Sequence, residues 1–197
     1  FNMSDGANGL IPGIASAAFA IFFLEYGRPI EGLLFFACSM FLIFNVISGW
    51  FFLGDMGSYG LGAAIAVYGL SGVATGHFSA SFMAALLAYP CLDFITSIFR
   101  RVAAGRSPFT ADNDHLHNRL HWQLKKQFRS RVVANSLTGL LISGSSAGIV
   151  LFAYIFSWRP AFSDDWIFLF ALQIVLYATV FRLAARGRPT SQFSEAV

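Results

Sequence analysis

Charge and cysteine are both scarce in this chain of 197 residues. Only 12% of the residues are charged, whereas 56% are hydrophobic. A soluble domain cannot bury so much apolar surface, whereas a bilayer does not require it to be buried. Cys38 and Cys91 lie inside apolar segments, so we interpret both as small buried hydrophobic residues without a disulfide or a metal partner. The composition therefore indicates an integral membrane protein.

Six apolar segments predict membrane spans, some of them marginally, because a spanning helix needs about 20 mainly apolar residues. They are roughly residues 9–24, 30–48, 59–75, 78–98, 132–156 and 166–181. The predicted fold is an all-α, polytopic transmembrane helical bundle. Small residues within 60–72 and 139–148 favour close packing of helices in lipid.

Lysine and arginine predict the orientation of these spans. Most of them lie in one polar loop, at about residues 100–131, or after the last span, where Arg182, Arg186 and Arg188 are found; only Arg28 and Arg159 lie in loops of the opposite parity. The positive-inside rule places the chain start, the 50–58 loop, the long loop and the C-terminus in the cytoplasm. Orientation alone explains such charges, so none of them indicates a ligand by itself. Residues 114–131 of the long loop predict a polar helix with leucine at every fourth position.

The chain begins at Phe1 rather than methionine, and no signal-peptide pattern precedes its first polar motif. We therefore expect a piece of a longer protein. Residues 1–197 would form the C-terminal part of one integral membrane domain, with the long cytoplasmic loop at about 100–131.

Asp55 stands between Gly54 and Gly57, where flexible backbone can approach an anion or a metal closely. A carboxylate at the membrane rim is costly unless it is paired, hydrated or bound to a cation. Mg²⁺ fits, because it takes carboxylate oxygens together with substrate phosphates. The alternative is an aspartate that caps the next helix with Gly57 and Ser58.

Asp5 and Asn8 are followed by glycines, directly before the first apolar span. A helix N-terminus there would present free N–H groups and a positive dipole end to a phosphate or a nucleoside. Ordinary N-capping explains the same residues, because Asp and Asn favour such positions. Alone, this motif is not specific.

Histidines cluster in the long loop at His115, His117 and His121, with Asp112 and Asp114 before them. His115 and His117 share a face only if the backbone between them is not helical. Three interpretations stay open: a three-histidine zinc site, phosphate recognition with arginines as further donors, and a solvated polar loop.

Asp93 is an acid inside an apolar span, near its predicted cytoplasmic end. Such acids are usually paired or functional. An ion pair with Arg100 or Arg101 and a substrate role are equally good interpretations.

Together these strings resemble the polyprenyl-phosphate N-acetylhexosamine-1-phosphate transferases, of glycosyltransferase family 4 type. That family includes undecaprenyl-phosphate N-acetylglucosamine-1-phosphate transferases and phospho-N-acetylmuramoyl-pentapeptide transferases. The matching strings are Phe1-Asn2-Met3-Ser4-Asp5-Gly6-Ala7-Asn8-Gly9-Leu10, Phe52-Leu53-Gly54-Asp55-Met56-Gly57-Ser58, Asp93, Arg100-Arg101, Gly105-Arg106-Ser107-Pro108-Phe109 and Asp112-x-x-His115-Leu116-His117-Asn118-Arg119-Leu120. Their order and spacing agree from Phe1 to about Leu120, which makes the resemblance specific.

The resemblance implies roles for single residues. It makes Asp55 a Mg²⁺ ligand, with Mn²⁺ as a substitute. The implied catalytic residues are Asp5, Asp55, His115 and His117. The implied substrate-binding residues are Asn2, Asn8, Phe52, Arg106, Asp112 and Arg119. The aspartate pair of the family is expected before Phe1, so this chain is expected to be inactive alone.

Asn118 departs from the family pattern, because the most similar members often carry a further histidine there. Asparagine cannot take a proton, which places any acid–base role at this position in doubt. The chain also lacks the triple histidine of the muramoyl-pentapeptide branch, and this favours the N-acetylhexosamine branch.

The implied activity transfers N-acetylhexosamine 1-phosphate from a UDP-sugar to undecaprenyl phosphate, releasing UMP, as the first step of a cell-surface glycan. The implied partners are a UDP-N-acetylhexosamine, undecaprenyl phosphate and membrane lipid; a homodimer stays open, and no nucleic acid is expected. The implied location is the bacterial inner membrane, multi-pass, with the active site facing the cytoplasm. A transporter, a lipid flippase and an inactive scaffold for glycan assembly are the competing hypotheses.

Overall fold

The computed structural model describes residues 1–110 and 113–185 of the chain. Asp112, Arg186, Arg188 and Ser194 lie outside the described residues. A short 3₁₀ turn, Asn2–Ser4, precedes a bundle of α-helices. The helices are α1 (Leu10–Tyr26), α2 (Pro29–Ser48), α3 (Gly54–Ala74), α4 (Ala80–Leu86), α5 (Ala88–Ala103), α6 (Leu116–Leu124), α7 (Arg131–Ser143), α8 (Ile149–Ile155) and α9 (Trp166–Ala184), with a π-helical turn at Gly144–Gly148 between α7 and α8.

Helix α1 forms the centre of the bundle. Nearly all of its side chains from Leu10 to Phe22 are buried, and Leu10, Ile14, Phe19 and Phe22 have no exposed surface. The helices α2, α3, α7 and α8 pack around it. A helix that is apolar all round is stable only when other elements enclose it. The first polar motif therefore leads directly into a helix that is buried over most of its length.

Among the described residues, four helical stretches are long and apolar enough to cross a bilayer: α2, α3, α9 and the continuous run Arg131–Ile155. The bent pair α4–α5 is a fifth if it forms one span. Helix α1, the remaining predicted span, is shorter, with 17 residues. Large apolar side chains stay exposed on the outer helices, among them Leu33, Phe36, Val67, Phe168 and Val175. Such a surface is unfavourable in water but not in lipid. The chain is a multi-pass membrane protein, and the predicted helical bundle is confirmed.

The span predicted at residues 78–98 is bent in the structure. Helices α4 and α5 meet at an angle of 80°. Pro90 explains the break, because it has no N–H to donate to the Leu86 carbonyl and its ring would clash with that group. The bend directs Tyr89 and Asp93 of α5 to partners on α6 and α9.

The helix predicted over residues 114–131 is shorter in the structure, because it begins at Leu116 and ends at Leu124. His115 is extended, with φ −92° and ψ 156°. The Asp93 carboxylate accepts the Leu116 N–H at 3.1 Å and so caps α6 from a different helix. After a turn, the Ser130 hydroxyl caps α7 by accepting the Val133 N–H at 3.3 Å.

Both cysteines are free. Cys38 is buried, as predicted, whereas the prediction of a buried Cys91 is wrong, because Cys91 is exposed. Cys91 lies two positions after Tyr89 and two positions before Asp93. Residues two positions apart on a helix point to different sides. Tyr89 and Asp93 occupy the buried side of α5.

The bundle has two chemically different ends. The three polar motifs and the arginine-rich loop lie at one end, whereas Glu25, His77 and Tyr154 meet at the other. There His77 Nδ1 lies 3.0 Å from Glu25 Oε1, and the Tyr154 hydroxyl donates to Glu25 Oε2 at 2.7 Å. The asymmetry agrees with the charge pattern of the loops. That the motif end faces the cytoplasm stays a prediction from the positive-inside rule.

We expect single cysteines to report this orientation in a background without Cys38 and Cys91. Ser107→Cys and Ser194→Cys should react with a membrane-impermeant thiol reagent only from the cytoplasmic side, and Arg28→Cys only from outside. Ser107 and Arg28 are exposed, so the labelling of both needs no unfolding. Labelling of Ser107→Cys from outside intact cells would contradict the orientation.

Candidate active site

The first two polar motifs contact each other directly. The Ser58 hydroxyl, which is fully buried, donates to Asn2 Oδ1 at 2.9 Å. The Asn2 amide in turn donates to the Tyr59 hydroxyl at 3.2 Å. These bonds fix the start of the chain against the first turns of α3. The substrate-binding role of Asn2 stays a prediction.

Asn45, which was not predicted as a site residue, joins the same two segments from the end of α2. Its Oδ1 accepts the Gly9 N–H at 2.6 Å, and its Nδ2 donates to the Phe51 carbonyl at 2.5 Å. Neither Asp5 nor Asn8 caps α1. The N-cap residue of α1 is Gly9, and among the described residues no side chain of the first motif makes a capping hydrogen bond to this helix. An asparagine inside an apolar span is a usable signal in the sequence, because such groups are usually satisfied by a specific partner.

Asn8 is buried and supports the loop before α1. Its side-chain amide donates to the Ser136 hydroxyl at 3.3 Å. Gly139 of α7 lies against its backbone, where an added Cβ would come within 2.0 Å of the Asn8 carbonyl oxygen. The predicted close packing of the small residues in 139–148 thus serves the first motif. Direct contact of Asn8 with a nucleotide stays a prediction.

Asp5 and Asp55 bring two carboxylates to one place at the motif end. Asp55 is exposed in the first turn of α3 and, among the described residues, makes no capping hydrogen bond there. Burial raises the pKa of the Asp5 carboxyl, and the negative charge of Asp55 raises it further. A small cleft of about 60 Å³ lies beside Asp5 and is bordered by Asn45 and Phe52. The exposed carboxylate of Asp55 is therefore free to take a ligand.

The donor set fits Mg²⁺ better than zinc. Within residues 1–110 and 113–185, no three histidine, cysteine or acidic side chains converge on a common point. The described residues therefore give no support to a zinc site of His115, His117 and His121. Mg²⁺ needs only one or two protein carboxylates, because it keeps waters and takes phosphate oxygens. Asp55, with Asp5 near it, meets that requirement in the presence of a phosphate substrate.

The two histidines of the third motif form a stacked pair. The extended backbone at His115 lets the imidazoles of His115 and His117 stack, with ring centroids 5.4 Å apart and planes 7° from parallel. His115 is 5% exposed and His117 is 3% exposed. The His117 Nδ1 lies 2.9 Å from the hydroxyl of Tyr89. The interpretation as a solvated polar loop is thus wrong for these two residues.

Gly6 connects the first motif to this histidine pair. A Cβ atom at Gly6 would lie only 2.1 Å from His117 Nε2. Glycine is thus the residue type that lets the backbone of the first motif lie directly on the imidazole. The sequence showed the glycine but gave no sign of which residue it would meet.

Asp93 pairs with a histidine rather than with the arginines named from the sequence. Its Oδ2 lies 2.6 Å from His115 Nδ1, and its Oδ1 accepts the Leu116 N–H and the Tyr177 hydroxyl, the latter at 3.0 Å. Asp93 is fully buried. A buried acid in a span with a named partner is the pattern expected of a functional position.

Arg119 lies in a structural network. Its guanidinium makes a bidentate pair with Asp114, with Nε and Nη2 at 2.7 and 2.6 Å from the two carboxylate oxygens. Nη1 donates to the Phe181 carbonyl at 3.0 Å, and the group lies 3.6 Å from the centre of the Phe181 ring. These contacts engage every nitrogen of Arg119, and its substrate-binding role stays a prediction. Arg106 and Phe52, by contrast, are exposed and open to a ligand.

The titration of His117 gives a testable pH dependence. Burial lowers the pKa of His117 to about 4 from its ordinary 6.5; the charge of Asp93 opposes this shift, and His115 and His121 add to it. Between about pH 6.5 and pH 4 the unfolded chain binds a proton that the folded chain excludes, so stability falls as the pH falls through this window. We expect His117 to contribute about 3 kcal/mol to this loss. Thermal unfolding in detergent at pH 7 and pH 4.5 should show a smaller loss for His117→Gln than for the wild type; an equal loss in both would contradict the assignment.

Comparison with known proteins finds one family model that matches part of the chain. Residues 1–73, which contain the first two motifs and the helices between them, match the model of glycosyl transferase family 4. The matched part of the chain, which is less than half of its length, is similar to that family. The third motif and α9 lie beyond the matched residues, and their contacts with the first motif therefore come from the structure. No solved structure matches the chain.

The names of the curated relatives agree with one another. An undecaprenyl-phosphate alpha-N-acetylglucosaminyl 1-phosphate transferase of Yersinia pestis is 26% identical over 94% of this chain and 53% of its own length. Two decaprenyl-phosphate N-acetylglucosaminephosphotransferases are also similar. The Mycobacterium leprae protein is 32% identical over 60% of this chain and 37% of its own length. The Mycolicibacterium smegmatis protein is 29% identical over 77% of this chain and 44% of its own length. The chain spans about half the length of these relatives, or less.

Proposed function

We propose that the intact protein transfers N-acetylhexosamine 1-phosphate, most simply N-acetylglucosamine 1-phosphate, from a UDP-sugar to a polyprenyl phosphate, and releases UMP. The observation that carries this proposal is the convergence of three motifs at one end of the bundle. Ser58 bonds to Asn2, and Gly6 lies on His117. The names of the similar transferases support the same donor and acceptor classes.

The chemistry is a phosphoryl transfer between two anions. A phosphate oxygen of the lipid attacks the sugar-linked phosphorus of the UDP-sugar, and the bond from that phosphorus to the bridging oxygen breaks. The electron pair of that bond leaves on UMP. Reactions of this kind depend on positioning and on neutralisation of charge rather than on covalent participation of the protein. The exposed Arg106 is available to contact the donor.

Asp55 and Asp5 would hold the metal and orient the diphosphate. Mg²⁺, when bound, would neutralise the charge that develops on the phosphate oxygens. Asp55 is the exposed ligand, and Asp5, whose carboxyl has a raised pKa, stands beside it. The aspartate pair that the resemblance expects before Phe1 would complete the site. His117, which is neutral near pH 7 in the absence of ligand, can donate one N–H to a phosphate oxygen.

An apolar cavity next to the histidines suits the lipid acceptor. It has a volume of about 300 Å³ and lies between α5, α6, α7 and α9. Leu92, Leu120, Leu141 and Leu176 are among its lining residues, and Tyr89 connects it to His117. A prenyl chain needs such a surface, because its methylenes gain nothing from polar contacts. We place the reaction at the cytoplasmic face of the bacterial inner membrane, at the start of a cell-surface glycan.

A direct assay tests the proposal. The intact protein in detergent, given UDP-N-acetylglucosamine, undecaprenyl phosphate and Mg²⁺, is expected to release UMP and to form a lipid-linked sugar diphosphate. His117→Ala should lower turnover about tenfold, since a hydrogen bond to a charged group from a partly desolvated site is lost. Asn118→Ala should change it little, because the Asn118 amide is already bonded to the Asn113 carbonyl at 2.9 Å.

The assay also separates the competing hypotheses. If no UDP-N-acetylhexosamine in a panel yields UMP, the transferase proposal is wrong, and the transporter or scaffold hypothesis replaces it. If another sugar reacts but N-acetylglucosamine does not, only the choice of sugar is wrong.

A further inference from the structure

Helix α9 carries none of the recognised motifs, yet one of its side chains contacts the acid that holds His115. The Tyr177 hydroxyl donates to Asp93 Oδ1 at 3.0 Å, while Asp93 Oδ2 lies 2.6 Å from His115 Nδ1. Tyr177 and Asp93 are both buried. The carboxylate therefore has three donors, and two of them, Tyr177 and the Leu116 N–H, share one oxygen.

This arrangement determines the state of the imidazole. A carboxylate only accepts hydrogen bonds, so the Nδ1 of His115 must carry the proton in this pair. Its Nε2 is the nitrogen left for another partner. The ring of His115 stacks on that of His117, and Gly6 lies on His117. The orientation of the Asp93 carboxylate therefore affects how the two imidazoles are placed against the first motif.

Helix α9 is fixed to α6 by contacts that do not involve Tyr177. Arg119 donates to the Phe181 carbonyl at 3.0 Å, and the Gln123 amide donates to the Ala184 carbonyl at 3.1 Å. The Tyr177 ring itself stacks on Phe181, with centroids 5.7 Å apart. Phenylalanine at position 177 would keep this stacking and lose only the hydroxyl.

We propose that Tyr177 is a positioning residue of the active site, which acts through Asp93 to hold the His115–His117 pair in register with the first motif. The expected effect on turnover rests on the proposed function, whereas the expected effect on the orientation of His115 does not. A hydrogen bond to a buried carboxylate orients it at a fixed angle, and its loss lets the carboxylate and the imidazole rotate together.

Tyr177→Phe in the intact protein tests the kinetic effect. Turnover should fall about tenfold while KM for the UDP-sugar stays within about twofold, because the loss concerns the geometry of the reacting groups rather than binding. Tyr154→Phe is the matched control, since its hydroxyl donates to Glu25 Oε2 at 2.7 Å at the opposite end of the bundle. The control should lose comparable thermal stability and keep its turnover. Equal turnover in both variants would overturn the proposal.

A double-mutant cycle tests the route through Asp93. If Tyr177 acts through that carboxylate, Tyr177→Phe should cause no further loss in an Asp93→Leu background, where position 93 offers the hydroxyl no acceptor. Additive losses would show that Tyr177 acts by another route and would overturn the proposal.

Nitrogen-15 NMR of labelled histidine gives a readout that needs no activity and no Asp93 variant. His115 should show a single Nδ1–H tautomer in the wild type and in Tyr154→Phe, and a mixture or a broadened signal in Tyr177→Phe. An unchanged His115 signal in Tyr177→Phe would overturn the proposal. If the protein releases no UMP from any sugar but the His115 signal changes as expected, the proposed function fails while the positioning of His115 by Tyr177 stands.

Discussion

Replacing Asp55 with asparagine in the intact protein is expected to lower turnover by about a thousandfold and to leave folding unchanged. Asp55 is exposed at the start of α3, and among the described residues its carboxylate forms no capping hydrogen bond. The substitution therefore removes no contact that stabilises the folded state. The variant loses the negative charge that would hold the metal. A metal contributes several kcal/mol to the stabilisation of a phosphoryl-transfer transition state, which corresponds to about 10³ in rate. UMP release and thermal unfolding, measured on the same preparation, check both parts.

Asp164→Asn is the matched control, because Asp164 is an exposed acid in the loop before α9, at the end of the bundle that carries no motif. We expect normal turnover in that variant. The Mg²⁺ concentration needed for half-maximal activity should rise in Asp55→Asn and not in the control. Near-normal turnover of a well-folded Asp55→Asn protein would remove Asp55 from the metal site and return it to a structural role.

Replacing Gly6 with alanine is expected to lower turnover by about a hundredfold or more. The new Cβ would lie 2.1 Å from His117 Nε2, far inside contact distance. Although that nitrogen is the tip of a side chain, the ring cannot move freely, because it is buried, stacked on His115 and bonded to Tyr89. A displacement of about 1 Å at a reacting group commonly costs 10² in rate, and overpacking should lower stability by about 1–3 kcal/mol.

Gly60→Ala is the control for the change in residue type, since nothing lies within 4 Å of the added atom and position 60 is inside a helix. It should leave turnover unchanged and raise thermal stability slightly. The double variant Gly6→Ala with His117→Ala should recover the lost stability and return turnover to about that of His117→Ala alone, because the clash is removed together with the histidine. Wild-type turnover in Gly6→Ala would show that Gly6 and His117 do not meet in the working enzyme.

The candidate site was predicted unevenly, and single residues show why. Asp55 was predicted in a flexible glycine-rich loop, whereas it lies exposed in the first turn of α3, because the helix begins earlier than hydropathy alone indicates. For Asp93, an ion pair with Arg100 or Arg101 and a substrate role were both left open. The structure pairs it with His115, because the bend before Pro90 rotates the buried side of α5 toward α6. Asn45 could have been predicted as a structurally important residue, because it is a polar side chain inside an apolar span. Tyr89 and Tyr177 carried none, since a tyrosine in an apolar helix is common and its partner cannot be read from its neighbours in the chain.

The sequence by itself determined the membrane class, the helical bundle, the charge asymmetry of the loops and the chemical types gathered in the three motifs. These follow from hydropathy, periodicity and residue identity, which are properties of short stretches of chain. Only the tertiary structure decided that the histidines are buried and stacked, that Gly6 lies on His117, and that Tyr177 reaches Asp93 across 84 residues of sequence. Such contacts depend on how each helix is rotated and where it bends, and those are set by packing between distant segments rather than by local preference.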